Sequence, residues 1–379
     1  MDSQQPVRSA SLPHRLLLGP GPSNVHPRIL EAMSKPLVGH LDPHFLGLLD
    51  EIQGSLRPLF GTSNRFTLPL SATGSAGMEA CLVNLLEPGQ RILVGVNGVF
   101  GGRMVEVATR AGAEVHAVKA NWGDPLDEQA MIEAIQRIRP EVVAFVHAET
   151  STGVHQPIPE ITRAAQEIGA FVVLDCVTSL SGVPVELDKW GVDAAYSGTQ
   201  KCLSCPPGLS PISFSERALA RVRARSTPVQ SWYLDVSLLD GYYGGERVYH
   251  HTAPISALYG LAEALRVIED EGLPARIRRH QEAGEALVES LAPFGFTPLV
   301  SAQYRLPMLT TLRLPESLAP QEEAALRRRL LDHHNIEVGG GLGELAGQVW
   351  RVGLMGENAH LESVGHLVAA LKAEMKIPK

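Results

Sequence analysis

The sequence predicts an α/β protein with a large domain, built on a mostly parallel seven-stranded sheet between helices, and a smaller carboxyl-terminal α+β domain. Short apolar runs alternate with helical stretches from about residue 65 to residue 215, as is typical of parallel sheets. After about residue 270 this alternation gives way to a long charged helix followed by single strands and helices. The length of 379 residues also exceeds that of most single domains.

The elements of the large domain follow from these runs. The predicted strands are Phe66–Leu70, Arg91–Val96, Glu114–Val118, Val142–His147, Phe171–Leu174, Ala194–Tyr196 and Pro211–Phe214. Between them we expect helices such as Ala76–Leu86, which has one apolar stripe, and Pro159–Ile168, which ends at a glycine. Upstream, the alternating glycines and prolines of Leu18–Ser23 exclude a helix, and a short helix is expected over Pro27–Met33.

We divide the chain into an amino-terminal arm (1–17), the large domain (18–270) and the small carboxyl-terminal domain (271–379). The small domain is predicted to contain the helices Ala275–Leu291 and Pro320–His334, the strands Met308–Leu314 and Val349–Val352, and a closing helix. The glycine-rich segment Gly339–Gly343 is interpreted either as a flexible loop that closes over a substrate or as a long turn.

Composition and charge exclude several classes of protein. A hydrophobic share of 44%, a charged share of 20% and a net charge of −8, with scattered basic residues, favour a globular protein that binds neither nucleic acid nor membranes. No apolar run approaches the roughly 20 residues of a membrane span, and no targeting signal is apparent. Cys81, Cys176, Cys202 and Cys205 are too few for a disulfide framework and lack partners for zinc. We therefore expect a cytoplasmic protein without a metal site.

Three polar features fall at one predicted edge of the sheet. Asp175 follows the run Phe171–Leu174, Lys201 follows the strand Ala194–Tyr196, and the turn Ser71–Gly77 joins a strand to a helix. The carboxyl ends of parallel strands meet at the edge where α/β proteins bind ligands. Taken singly, the three features also fit a helix cap, a solvated lysine and a tight turn.

Together, these features suit pyridoxal 5'-phosphate. Small residues at a helix start leave N–H groups free for a phosphate, and Thr73 and Ser75 add hydroxyl groups. A carboxylate such as Asp175 keeps a pyridine nitrogen protonated, so that the ring withdraws electrons. A lysine such as Lys201 can form an imine with the aldehyde and then serve as general base. The turn has neither the Walker nor the dinucleotide-binding pattern.

The chain resembles the fold-type I, class V aminotransferases, and most of all the alanine–glyoxylate and serine–glyoxylate aminotransferase family. The blocks that carry the resemblance stand in family order: Gly19–Asn24, Ser71–Ser75, Asn97–Gly101, Glu149–Gly153, Asp175–Val177, Tyr196–Lys201, Tyr249–Thr252 and Trp350–Gly353. The resemblance implies a large domain that binds pyridoxal phosphate, and a homodimer whose subunits share each active site.

The resemblance also implies roles for single residues around the cofactor ring. Lys201 is expected to carry the Schiff base and Asp175 to pair with the ring nitrogen. Val177 and Phe100 are expected to pack on opposite faces of the ring. Family members commonly have tryptophan at the position of Phe100, so a smaller stacking surface is expected here. Thr150 is expected to hydrogen-bond the ring hydroxyl.

Phosphate and substrate contacts are implied in the same way. The phosphate is expected to be bound by Thr73, Gly74, Ser75 and Gln200 of one subunit and by Tyr249 and Thr252 of its partner. Arg351 is expected to bind the substrate carboxylate through two parallel hydrogen bonds, with Gly21 beside the same carboxylate. A strand-end ion pair for Arg351 and a plain turn for Gly21 are the structural alternatives.

The implied reaction is a ping-pong transfer of the amino group of alanine or serine to glyoxylate, which gives glycine and a 2-oxo acid. Relatives that use ureidoglycine, pyridoxamine or aminoethylphosphonate are alternatives, because the sequence does not locate the pocket side chains. A class V lyase such as a cysteine desulfurase is disfavoured, since it needs a cysteine on a mobile loop and none lies beyond Cys205. A non-catalytic scaffold would require neither Lys201 nor Asp175.

Overall fold

Two sheets organise the protein in the computed structural model, which describes residues 12–375. The strands are β1 (Leu16–Leu18), β2 (Phe66–Leu70), β3 (Arg91–Val96), β4 (Glu114–Lys119), β5 (Val142–Val146), β6 (Ala148–Glu149), β7 (Val154–His155), β8 (Phe171–Asp175), β9 (Ala194–Tyr196), β10 (Ser210–Phe214), β11 (Thr297–Pro298), β12 (Leu309–Arg313), β13 (Ile336–Gly340) and β14 (Val349–Gly353). The helices are α1 (Pro27–Met33), α2 (Pro43–Phe60), α3 (Gly74–Leu85), α4 (Val99–Arg110), α5 (Glu128–Ile138), α6 (Pro159–Glu167), α7 (Leu187–Trp190), α8 (Glu216–Arg223), α9 (Val236–Tyr243), α10 (Ile255–Glu271), α11 (Leu273–Leu291), α12 (Pro320–His334) and α13 (Leu361–Glu374).

The large sheet has seven strands in the order β2-β10-β9-β8-β5-β3-β4. Strand β10 is antiparallel to both of its neighbours, and the other pairs are parallel. Every residue of β2, β5 and β10 is buried. Because successive side chains point to opposite faces of a sheet, this burial means that both faces are covered. The predicted mostly parallel sheet between helices is confirmed.

The small domain has its own sheet, in the order β1-β13-β14-β12-β11, and its own apolar core. Its first strand comes from the amino-terminal end of the described chain: Leu16–Leu18 pairs in parallel with Ile336–Val338. Leu18 is fully buried in the small core. The sequence analysis assigned Leu16 and Leu17 to the amino-terminal arm and Leu18 to the large domain. In the structure these three residues complete the small sheet instead.

The segment Gly339–Gly343 and helix α2 also differ from the sequence predictions. The segment Gly339–Gly343 is not wholly a loop, because Gly339 and Gly340 end β13 and pair with Arg351 and Trp350 of β14. Helix α2 was not predicted, although Asp42 caps its start and Pro43 occupies its first turn, which together are a sequence signal for a helix start.

Residues 12–375 contain neither a candidate membrane span nor a candidate metal cluster. No helix there combines the length and the apolar character that a membrane span requires. No group of three or more histidine, cysteine, aspartate or glutamate side chains in that range is arranged to hold a metal ion. The four cysteines of the chain are buried and free.

Candidate active site

A cavity lies at the carboxyl ends of the strands of the large sheet. It brings together nine of the predicted residues: Thr73, Gly74, Ser75, Phe100, Thr150, Asp175, Val177, Gln200 and Lys201. These residues come from the ends of β8 and β9, the starts of α3 and α4, and the hairpin of β6 and β7. The sheet topology therefore assembles one site from segments that are distant in sequence.

Lys201 lies in the loop after β9 and is buried in the cavity wall. Its Nζ donates a hydrogen bond to the carbonyl of Pro20. Burial lowers the pKa of the amine to about 8, and the positive charge of Arg351 acts in the same direction. Ser23 fixes the loop, since its N–H donates to Gln200 O at 2.9 Å and its hydroxyl to Lys201 O at 3.0 Å. The lysine is therefore presented as a restrained amine with an increased neutral fraction.

Asp175 is the last residue of β8 and is buried. Its Oδ1 accepts from the N–H of Val177 at 2.8 Å, and its Oδ2 accepts from the hydroxyl of Tyr196 at 2.6 Å. The pKa of the carboxyl is raised to about 7, mainly by burial and to a smaller extent by the negative charge of Glu149. Within residues 12–375 the carboxylate has no ion-pair partner, so lone pairs remain for a further donor.

The start of α3 forms another wall of the cavity. The N–H groups of Ala76 and Gly77 donate to the carbonyl of Thr73, while those of Gly74 and Ser75 belong to the helix start, which lacks intrahelical acceptors. A Cβ at Gly74 would lie 3.3 Å from Cγ2 of Val177. Glycine therefore lets this helix start pack against the residue that is expected to contact the ring.

Phe100 and Thr150 line the cavity from α4 and from the hairpin. The guanidinium of Arg103 lies over the Phe100 ring, 5.0 Å from its centroid. The carbonyl of Thr150 accepts from Nη1 of Arg351 at 3.2 Å. The residue expected at the ring hydroxyl and the residue expected at the substrate are thus neighbours.

Arg351 and Gly21 border the cavity without lining it. Arg351 is buried in β14, where its Nε donates to Gly340 O at 2.8 Å, and burial lowers its pKa. It has no carboxylate at ion-pair distance within the described chain, so the alternative of a structural ion pair is wrong. Gly21 has a φ of +107°, and a Cβ there would lie 2.5 Å from Nζ of Lys201. Glycine is favoured at this position because its φ is one that other residues rarely adopt, and the small residue also leaves room for the lysine side chain.

Tyr249 and Thr252 do not line the cavity of their own chain. Both are exposed, and the Tyr249 hydroxyl lies 3.5 Å from the Thr252 hydroxyl. Their predicted contact with the cofactor of a partner subunit stays a prediction.

Sequence reasoning missed five residues that line the cavity: Met78, Arg103, Ala148, Thr178 and Tyr196. Arg103 follows Phe100 by one helical turn, and this spacing was a usable signal. Tyr196 lies beside Asp175 in the register of β8 and β9, which only the strand pairing shows.

Comparison with known proteins is consistent with this geometry. A family model described as aminotransferase class V matches residues 16–350. A crystal structure of an alanine–glyoxylate aminotransferase from Nostoc sp. shares 50% identity over 99% of each chain, with a TM-score of 0.95. An alanine–glyoxylate aminotransferase from Drosophila melanogaster is 40% identical over 98% of this chain and 95% of its own length.

A second kind of relative has a different amino donor in its name. The (S)-ureidoglycine–glyoxylate transaminase of Bacillus subtilis is 36% identical over 97% of this chain and 92% of its own length. The extent of the family match and these identities agree with the fold and with the cavity residues described above. The chain belongs to the class V aminotransferases and is an aminotransferase.

Proposed function

We propose that this aminotransferase binds pyridoxal 5'-phosphate in the cavity and transfers the amino group of alanine or serine to glyoxylate. The observation that carries the proposal is that one cavity contains both the buried amine of Lys201 and the buried carboxylate of Asp175. Within residues 12–375 this carboxylate has no ion-pair partner. The Nostoc and Drosophila relatives support the choice of substrates, because both are named as alanine–glyoxylate aminotransferases.

The residues present fit the cofactor at three points. The helix start at Gly74 and Ser75 offers N–H groups and a positive dipole end to a phosphate. Asp175 has free lone pairs for a protonated ring nitrogen. The positive charge of that nitrogen would favour the ionised form of the Asp175 carboxyl. Lys201, with a pKa of about 8, offers a partly neutral amine to an aldehyde.

Each side chain has a task in this reaction. The cofactor, when bound, supplies a ring that withdraws the electrons left at the substrate Cα. Arg351 holds the substrate carboxylate, while Phe100 and Val177 restrict the space around the ring. Lys201 takes the proton from Cα of the amino donor, which requires the neutral amine that burial favours, and in the second half of the reaction it gives a proton to Cα of the new glycine.

Half-reactions test the choice of donor. We expect alanine or serine to bleach the visible absorbance of the cofactor-loaded enzyme, because the amino group would be left on the bound cofactor, and we expect glyoxylate to restore it. Ureidoglycine, pyridoxamine and aminoethylphosphonate complete the panel. Inertness to alanine and serine, with a response to ureidoglycine, would shift the proposal to the reaction named for the Bacillus relative.

We further propose a homodimer in which Tyr249 and Thr252 reach the cofactor phosphate of the partner. Large apolar side chains are exposed around this segment: Trp232 is 62% exposed, Val248 56% and Tyr249 57%. The Trp232 ring stacks on the adjacent His250 at 4.4 Å, so these groups share one surface. An exposed apolar patch of this kind favours a protein interface.

Mixed dimers test the shared site. Co-expression of a Lys201→Ala chain with a Tyr249→Ala, Thr252→Ala chain should restore activity that both parental homodimers lack, because a mixed dimer contains one intact site. Sedimentation velocity would verify that every variant is dimeric. Full activity of the Tyr249→Ala, Thr252→Ala homodimer would contradict the proposal.

We also propose a cytoplasmic location. The proposed substrates are small amino acids and 2-oxo acids, with no nucleic acid or membrane as partner. Free, buried cysteines are typical of proteins in reducing compartments. The net charge of −8 gives no support to a polyanionic partner.

A further inference from the structure

Glu149 is a buried carboxylate next to the candidate site that does not line its cavity. It ends strand β6, and its exposed fraction is 0%. Its Oε1 accepts from the N–H of Ser151 at 3.0 Å and from the Ser151 hydroxyl at 2.6 Å, and its Oε2 accepts from the N–H of Phe100 at 3.1 Å. The side chain receives only donors, as an ionised carboxylate does.

These bonds join the hairpin of β6 and β7 to the start of α4. Gly98 precedes α4 and has no side chain to cap it, so the N–H groups of the first turn need acceptors from elsewhere. Glu149 accepts from Phe100, and the hydroxyl of Ser151 accepts from the N–H of Val99 at 2.9 Å. A negative charge at a helix amino terminus is also favoured by the helix dipole.

Gly98 packs against the side chains of Glu149 and Ser151. A Cβ at Gly98 would lie 2.5 Å from both Cγ and Cδ of Glu149, and closer still to Oγ of Ser151. The φ of Gly98 is 168°, which any residue can adopt. Glycine is therefore needed there to make room for Glu149 and Ser151, and not because of the backbone angle.

The same hairpin supports Arg351, the residue expected to bind the substrate carboxylate. Arg351 donates to the carbonyl of Thr150, the residue directly after Glu149. Phe100, Thr150 and Arg351 thus depend on one structural unit made of the hairpin and α4. Glu149 is hydrogen-bonded to both parts of that unit.

The negative charge of Glu149 also partly balances the positive charge of the buried Arg351. Arg351 is only 6% exposed, and its described hydrogen bonds go to the carbonyls of Gly340 and Thr150. The negative charge of Glu149 opposes the fall in the pKa of Arg351 that burial causes. Because Glu149 acts without forming an ion pair with Arg351, the guanidinium stays available to a carboxylate.

We propose that Glu149 is a positioning residue that holds Phe100, Thr150 and Arg351 in the arrangement that cofactor and substrate require. The inference rests on the proposed function, since these are the residues expected to contact the two ligands. Glu149 contacts neither ligand itself and acts through the hairpin and α4.

The variant Glu149→Gln tests the inference. An amide replaces one acceptor oxygen with an NH₂ group, so it cannot accept from both Phe100 and Ser151. We expect the dissociation constant for pyridoxal phosphate, measured by fluorescence titration of the apoprotein, to rise about tenfold or more. With the loaded enzyme, KM for the amino donor should rise by a larger factor than kcat falls. The cofactor titration needs no substrate, so its outcome is independent of which donor the enzyme prefers.

Glu141→Gln is the matched control. Glu141 directly precedes β5, so it lies at the end of that strand away from the cavity, and it accepts from the N–H of Arg91 at 2.8 Å. Its replacement should leave the dissociation constant and KM unchanged. The proposal is overturned if Glu149→Gln retains the parental values. It is also overturned if the variant lowers only the melting temperature of the apoprotein, because that result shows a role in stability alone.

Two further variants cover the case in which Glu149→Gln does not fold. Ser151→Ala keeps the carboxylate but removes a hydroxyl that bonds both Glu149 and Val99, so a rise of a few fold in the dissociation constant is expected. Gly98→Ala displaces Glu149 and should produce a larger rise. Unchanged cofactor affinity in both variants would contradict the proposal.

Discussion

Replacing Lys201 with alanine should reduce transamination by at least about 10⁴-fold, because in the proposed reaction this one side chain supplies both the attachment to the cofactor and the general base. The buried amine has no substitute in the cavity, where the other cationic side chain is the guanidinium of Arg103. Turnover with alanine and glyoxylate measures the loss. Borohydride treatment followed by mass spectrometry should attach the cofactor to Lys201 of the parent protein and leave the variant unlabelled.

Lys189→Ala is the control for this prediction. Lys189 lies on the surface of the same domain and pairs with Glu186 at 2.9 Å, so its loss should leave activity unchanged and alter stability by no more than about 0.5 kcal/mol. Appreciable transamination by a correctly folded Lys201→Ala protein would show that another group performs the proton transfer.

Asp175→Asn should cause the second largest loss. Asparagine retains the shape and can still accept from Val177, but it cannot provide the negative charge that a protonated ring nitrogen needs. Removing one partner of a buried charge pair costs about 2–5 kcal/mol, which corresponds to roughly 30- to 5,000-fold in rate or affinity. Cofactor titration and steady-state turnover measure the two effects. Asp127→Asn is the control, because Asp127 only caps α5 and asparagine caps a helix equally well.

The same variant should alter how the stability of the apoprotein depends on pH. Burial raises the pKa of Asp175 from 3.8 to about 7, so the folded state binds the proton more tightly than the unfolded state between these values. The free energy of unfolding should therefore fall as the pH rises from about 4 to about 7. Asp175→Asn should lack this part of the decrease, as urea unfolding at pH 5 and pH 8 can measure. Identical pH profiles for the two proteins would contradict the raised pKa.

The sequence was sufficient for features whose signals are local. The apolar run that ends at Asp175, the small residues around Gly74 and the alternation of strands and helices are short patterns, and each indicated the sheet edge where the cavity lies. Residues matched to family blocks, such as Phe100 and Thr150, lie together in that cavity. Their position follows from parallel strands, whose ends must meet.

The features that the sequence did not predict depend on contacts between distant segments. No local pattern shows that Leu16–Leu18 pairs with β13 or that Gly21 packs against Lys201. Glu149 stands in the family block Glu149–Gly153, but no local pattern predicts its burial, because a single glutamate in a loop-like segment is most often solvated. Its burial follows from the packing of α4 against the hairpin.

The pairing of β1 with β13 has a consequence for how the protein is made. Leu16–Leu18 is synthesised about 320 residues before its partner Ile336–Val338. The small sheet therefore cannot close until β13 has been made, and contacts between such distant segments form slowly. Ser23, which fastens the Lys201 loop, lies directly downstream of β1. We expect the newly made chain to complete its large sheet first and to become competent for catalysis only at the end of folding.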